Sequence, residues 1–280
     1  METSFIVLGS GQDGGAPQLG HRSSVSPSRN ASSVAVIGAS GSVAVLDASP
    51  DIRVQGQMLL GSPFYPSGRV ALVDSVFITH AHMGHYAGLL HFGSEALAAD
   101  HIPLFATERF LAFMEHNEPW GTLLAAGHLD AIAINGLTAS MEDDLEIAAI
   151  PVPHRDELSD TVAFSVRVGG DPWMLYLPDI DDWESWIDAE SEIESHDIVL
   201  LDATFSTARE LPNRDMASIG HPLVTDTIER FRHLASGTRI VLTHINHSNP
   251  LGDPAAPITR RVLDAGFTIA YDGLTSTVGE

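Results

Sequence analysis

The stretch Val76-Phe77-Ile78-Thr79-His80-Ala81-His82-Met83-Gly84-His85 runs from an apolar segment directly into three histidines. An apolar run of this kind reads as a strand buried on both faces, so it need not alternate. His80 and His82, two residues apart just past the strand, can present both rings to one side, and His85 opens the following helix. Imidazoles converging in this way suit a divalent cation, which needs neutral nitrogens at about 2.0–2.1 Å. The competing reading is three solvent-exposed loop histidines.

Three further strand ends carry the same signal. His154 follows "LEIAAIPV", Asp179 follows "WMLYLP", and His244 follows "RIVLT", with His247 one turn later. Asp47 ends "VAVLD". It reads either as a turn aspartate or as a group that orients a metal-binding histidine through its distal nitrogen. Groups collected at strand ends are where an α/β scaffold places its binding chemistry.

The rest of the chain supplies strands and helices in a matching rhythm. "SSVAVIG" and "SVAVLDA" flank Ala39-Ser40-Gly41, a hairpin signal because Gly41 tolerates positive φ. Strands are also expected at "SFIVLGS", "TVAFSVRV", "DIVLLDA" and "FTIAY". Helices are expected at "HYAGLLHFGSEALAA", "TERFLAFMEH", "HPLVTDTIERFRHLA" and "APITRRVLDAG", the last stopping at Gly266. The acidic stretch "DIDDWESWIDAESEIES" predicts a solvated helix with Trp183, Trp186 and Ile187 turned inward. A Gly/Ser/Pro-rich loop spans Gly9 to Asn30, and its "GSGQDGG" lacks the lysine and the helix of a phosphate-cradling loop. No linker divides the 280 residues, so we expect a single domain over 1–280, with two stacked sheets between helices and halves that repeat one theme.

Composition narrows the function classes. With 44% hydrophobic and 18% charged residues the chain is a folded globular protein. Zero cysteines exclude disulfides and thiolate metal sites. A net charge of -23 argues against nucleic-acid partners and points to a small-molecule substrate. No apolar run reaches the roughly 20 residues of a membrane span. The N-terminal "METSFIVLGSGQDGG" lacks the basic region of a signal peptide, so a cytoplasmic location without membrane partners is expected. Homodimerisation stays open.

The motif "THAHMGHYAGL" resembles the His-x-His-x-Asp-His signature of the metallo-β-lactamase superfamily, and His154, Asp179 and His244 follow in that superfamily's order. The stretches "GQDGGAPQ", "VLDASPDIRVQ", "IGHP" and "HINHSNPL" are similar to its branch around pyrroloquinoline-quinone biosynthesis protein B. The resemblance covers about Phe5 to Tyr271. It implies an αββα sandwich of two mixed sheets flanked by helices, with metal at one edge. By the same resemblance His80, His82 and His154 hold one ion, and His85 and His244 hold a second, with Asp179 bridging. Zinc is the expected occupant, in one or two ions, with iron or manganese as alternatives. Asp202 and His221 are similar to the acid–histidine pair of the superfamily's tRNA-maturing nucleases, where the imidazole protonates a leaving oxygen. A helix-capping role for His221 beside Pro222 is the competing account.

Two departures from the pattern matter. The superfamily's aspartate is replaced by Gly84, which leaves a coordination gap for His247, Asp181 or water to fill, or an empty second position. The branch's cysteine cluster is absent from "LGHRSSVSPS", so packing and hydrogen bonds must hold that loop. Two reaction classes follow. One is hydrolysis of an ester or phosphodiester, with Arg22 or Arg155 as the available cations for a phosphate. The other is iron-dependent oxygen chemistry, or a carrier role, in quinone biosynthesis.

Overall fold

A computed structural model describes residues 2–21, 25–134, 138–141, 145–210 and 220–280. Strands β1 (Ser4–Gly9), β2 (Ser33–Ile37), β3 (Val43–Leu46), β4 (Ser75–Phe77), β5 (Ile102–Ala106) and β6 (Leu129–Ala133) lie in one sheet, joined at its far edge by β14 (Thr275–Thr277). The second sheet runs β13 (Thr268–Ile269), β12 (Arg239–Thr243), β11 (Ile198–Asp202), β10 (Asp171–Leu177), β9 (Val162–Val168), β8 (Leu145–Pro151), β7 (Thr138–Ser140). Both sheets are mixed. β1 to β3 pair antiparallel and β3 to β6 parallel, whereas β7 to β10 pair antiparallel and β10 to β13 parallel. The two halves of the chain thus map onto the two sheets, except that β14 crosses back to pair with β1.

Residue alternation explains the layering. Phe5 and Val7 of β1 face the second sheet, packing with Phe164, Tyr176, Leu200 and Val241. Ile6 and Leu8 face outward, into a cluster with Ile52 and Leu59 of α1 (Ile52–Leu60), Phe110 and Met114 of α3 (Glu108–Glu115) and Leu123 of α4 (Trp120–Ala125). On the other side Val199 and Leu201 pack with Ile193 of α5 (Ala189–Ser195), Ile228 and Phe231 of α6 (Val224–Phe231) and Val262 of α7 (Pro257–Asp264). Period-two strands covered by apolar helix faces give four layers, helix–sheet–sheet–helix. Among the described residues no helix is long and apolar enough to cross a membrane.

Two local expectations change. The helix after the histidines is short: α2 (Met83–Tyr86) passes into a 3₁₀ turn over Ala87–Phe92, and Gly93 is extended, so Leu97 lies exposed. A Cβ at Gly88 would strike the Ala48 and Ser49 carbonyls, so this turn packs directly on the β3 exit. In the acidic stretch Trp183 and Trp186 are buried as expected, with Trp183 donating Nε1–H to Thr227 Oγ1 at 2.9 Å. Ile187 instead is 91% exposed, because the helix begins only at Ala189. The Gly41 turn and the Gly266 stop both have positive φ, as expected.

The β1–β2 loop is held without cysteine. Arg29 is buried, and its guanidinium donates to Ser10 Oγ, Ser26 Oγ and the carbonyls of Leu251 and Ala270. Asp272 accepts from Ser10 N, Ser10 Oγ and Asn30 N at 2.6–3.0 Å. Burial lowers the Arg29 pKa to about 10 against the opposing pull of Asp272. Of the basic residues considered for phosphate, Arg22 lies outside the described residues, as does Ile219 of "IGHP".

Candidate metal centre

Strand ends deliver the site. His80 and His82 follow β4, His154 follows β8, Asp179 follows β10, Asp202 closes β11 and His244 follows β12. All sit at one edge where the sheets meet. His80, His82 and His154 bring ligand atoms within 4.8 Å of one another. Their Nε2, Nδ1 and Nε2 atoms are spaced 2.8 Å (His80 to His82) and 3.4 Å (His82 to His154). Nitrogens about 2.0–2.1 Å from one tetrahedral ion stand roughly 3.3 Å apart, so this triad suits an ion directly.

A second group gathers beside it. Asp179 Oδ2 lies 2.8 Å from His85 Nε2 and 3.3 Å from His244 Nε2, while Asp179 Oδ1 lies 3.7 Å from His154 Nε2. The carboxylate therefore stands between the two sets of imidazoles. His244 Nε2 and Asp13 Oδ1 are buried and find no hydrogen-bond partner among the described residues, and the close approach of His85 Nε2 to Asp179 Oδ2 lacks hydrogen-bond geometry. Orphaned polar atoms are costly in a protein interior unless something satisfies them. Here donors of nitrogen and carboxylate oxygen face one point, the chemistry a divalent cation fits.

The far sides of His80, His85, His154 and His244 are backed. Asp47 Oδ2 takes the Nδ1–H of His85 at 2.7 Å, and also accepts from Tyr176 OH at 3.1 Å. Thr79 donates its hydroxyl to Asp47 and faces His80 Nδ1 at 3.0 Å. Thr204 repeats the device, donating to Asp202 Oδ1 at 2.7 Å and facing His244 Nδ1 at 2.9 Å. A hydroxyl already donating to a carboxylate can only accept from the imidazole. Nδ1 of His80 and of His244 must then carry the hydrogen, and Nε2 presents its lone pair to the site. Asp181 Oδ1 lies 3.0 Å from His154 Nδ1. The orienting role for Asp47 is thus the one the geometry supports, whereas Asp181 backs His154 from outside and does not enter the second position. His247 stacks on His21, ring centroids 4.3 Å apart, and also stays outside.

Burial keeps His80 and His244 well below the ordinary imidazole pKa, helped by neighbouring histidines, and takes His154 to about 2. His85 goes the other way: burial opposes its charge, but the carboxylates of Asp47 and Asp179 outweigh it. Asp47 and His244 both sit at positive φ (64° and 57°), a conformation non-glycine residues adopt sparingly and that costs on the order of 1 kcal/mol or more each. Strain of this kind concentrates at functional sites, and nothing in the residue pattern announces it.

His221 and Asp202 adjoin the cluster as a pair. Asp202 Oδ2 accepts from His221 Nδ1 at 2.7 Å, while its oxygens also accept from Thr204 N and Ile180 N. His221 Nδ1 is 3.6 Å from Asp179 Oδ1. Burial depresses its pKa, but Asp202 and then Asp179 overcome that and raise it to about 9.

One residue the sequence reading passed over sits in the middle of this. Asp13, in the glycine-rich loop, joins His85 and His244 in a group whose ligand atoms all lie within 4.8 Å, with Asp13 Oδ1 3.7 Å from His85 Nε2. Its sequence signal is the pairing of a carboxylate in "GQDGG" with the one missing at Gly84.

Two sheets face to face, helices outside, and a histidine–aspartate cluster at their shared edge define the metallo-β-lactamase class of protein. The chain belongs to the family described as Beta-lactamase superfamily domain, whose model matches residues 44–245. It is similar to coenzyme PQQ synthesis protein B of Cupriavidus necator, 27% identical over 97% of this chain and 98% of that one. The Methylorubrum populi protein of the same name is likewise 27% identical, over 96% and 98%. Among solved structures, Zn(2+)-bound PqqB from Methylobacterium extorquens superimposes with a TM-score of 0.82 at 26% identity, covering 98% of this chain and all of that one. A diphosphatase of the PhnP family shares the fold, with a TM-score of 0.73 at 22% identity over 99% and 97% of the two chains.

Proposed function

We propose that the protein is a metal-dependent hydrolase acting on a small-molecule ester or phosphodiester. The observation that carries this reading is the convergence of unpaired buried Nε2 and carboxylate atoms beside the His221–Asp202 pair. His80, His82 and His154 would hold one divalent ion and His85 and His244 a second, with Asp179 between them. Zinc is the expected occupant, given an all-nitrogen-and-oxygen donor set. A cation bound there supplies Lewis acidity that brings water toward deprotonation near neutral pH.

The chain's own residues do the rest. Asp202 engages Nδ1 of His221, so the transferable proton is the one on Nε2. Asp202 favours the charged form of His221, whose pKa in the metal-free chain is raised to about 9, and so suits the ring to enter the reaction as an acid, donating to the leaving oxygen. Asp202 positions the ring and stabilises its charge before donation. Arg155 pairs with Glu157 at 2.7 Å, so it is already engaged by an acid. With a chain charge of -23, a substrate of low negative charge fits better than a polyphosphate.

The test is turnover of zinc-reconstituted and chelator-stripped protein on paired esters and phosphodiesters with good and poor leaving groups. Chelator-sensitive hydrolysis, with His221→Ala slowing only the poor leaving groups, is the expected result. No chelator-sensitive turnover of either class would remove the hydrolase reading.

A second reading is favoured by the relatives whose similarity spans nearly the whole chain and whose name assigns them to coenzyme PQQ synthesis. It makes the protein an iron-dependent oxygenase or a carrier in that synthesis. Purified protein holding one iron per chain would favour it; two zinc ions would favour hydrolysis.

A further inference from the structure

We propose that Asp13 is the carboxylate ligand of the second cation, delivered by the β1–β2 loop in place of the one the motif lacks at Gly84. The inference rests on the metal reading above and extends it to a residue outside the histidine motif.

A Cβ built on Gly84 would overlap Asp13 at both Cα and Oδ1 and approach Asp13 Cβ to 3.0 Å. The volume a motif side chain would fill is therefore occupied by a carboxylate from another segment. Gly84 has no positive φ; it lies in α2, so backbone conformation does not require glycine there. Proximity of Asp13 does.

The chemistry agrees. Asp13 Oδ1 is buried and without a hydrogen-bond partner among the described residues, although the side chain as a whole is 35% exposed. A carboxylate with one oxygen near water and the other turned, unsatisfied, into a cluster of imidazoles has left hydration for something stronger. Its neighbour in that cluster, His244 Nε2, is unsatisfied too, and His85 Nε2 faces only the Asp179 carboxylate without hydrogen-bond geometry.

The loop is anchored to carry the residue there. Gly11 bridges Ala31 on one side and Ile245 on the other, Ile245 N donates to Ser10 O at 2.9 Å, and Gln12 N donates to Ile245 O at 3.1 Å. Ile245 directly follows His244, so one short piece of backbone fixes both ligands. Gly15 N donates to Gln12 O at 2.6 Å, closing a tight turn around Asp13. Gly15 has φ of 67°, and a Cβ there would meet Arg29 O at 2.8 Å, so that turn requires glycine. Three glycines thus serve one carboxylate: Gly11 and Gly15 shape its turn, and Gly84 yields its place.

The test compares wild type, Asp13→Asn and Asp13→Ala. Each full-length chain is stripped by chelator and titrated with Zn²⁺ by calorimetry and with Co²⁺ by visible absorption; melting temperature reports folding. Wild type should bind two ions. Asp13→Asn and Asp13→Ala should keep one, at unchanged affinity, and lose the second. Asp13→Ala binding two ions as tightly as wild type overturns the proposal and leaves the metal reading intact. Wild type binding no ion defeats both.

Discussion

The two halves of the cluster are assembled in opposite ways. His80, His82 and His154 come from two strand ends, and two of the three are neighbours in the chain. His85, His244 and Asp13 come from three segments separated by most of the sequence. A half built locally shows itself as a spacing. A half built from distant segments shows itself only when the loop that completes it has been folded onto the sheet edge.

The largest effect tests the local half. His80→Ala/His82→Ala removes two of three donors, and we expect loss of the ion at that position and turnover at background. Metal analysis beside an activity assay checks it. Full metal content in the double variant would mean that the triad is not a ligand set.

Gly84→Ala comes next and acts on the distant half. Its Cβ meets the backbone of Asp13, not a flexible side-chain tip, so the loop must shift. We expect loss of the second ion and overpacking destabilisation of about 1–3 kcal/mol, read as a fall in melting temperature. An unchanged melting temperature and two retained ions would show that the loop approaches less closely.

His221→Ala should slow turnover roughly a hundredfold with metal content unchanged. Its pH signature has a definite sign. The folded pKa of about 9 exceeds the ordinary 6.5, so the pair's stabilisation is fully present below about pH 6.5 and is lost as pH rises through about 9. For metal-free protein, the melting-temperature gap between wild type and variant should therefore be widest below pH 6.5 and close above pH 9. A gap constant across that window would return His221 to a capping role.

Asp47→Asn should have the smallest effect. It keeps the shape but weakens the acceptor behind His85, and we expect roughly 10–100-fold weaker binding of the second ion. If the first ion weakens equally, the two halves are coupled through Thr79, which touches both Asp47 and His80.

Most of the architecture was legible because buried strands advertise themselves as apolar runs, and each ended in a chemical group. Short or half-exposed strands did not: β6, with Asp130 to Ile132 exposed, has no alternation to read. Ile187 was placed inward by helical spacing, but the helix starts two residues later and its phase differs. At the site, the imidazoles and Asp179 follow from strand termini. Asp13 does not, since glycine-rich loops carry no period, and its position depends on hydrogen bonds to Ile245 at the opposite end of the chain. Gly84 was read as a gap when it is a clearance.

The most direct measurement of the central claim is anomalous diffraction at the zinc edge from crystals of the zinc-loaded protein. Two peaks roughly 3.5–4 Å apart are predicted, one among His80, His82 and His154 and one among His85, His244 and Asp13, with Asp179 between them. A single peak, or a second peak away from Asp13, would contradict it.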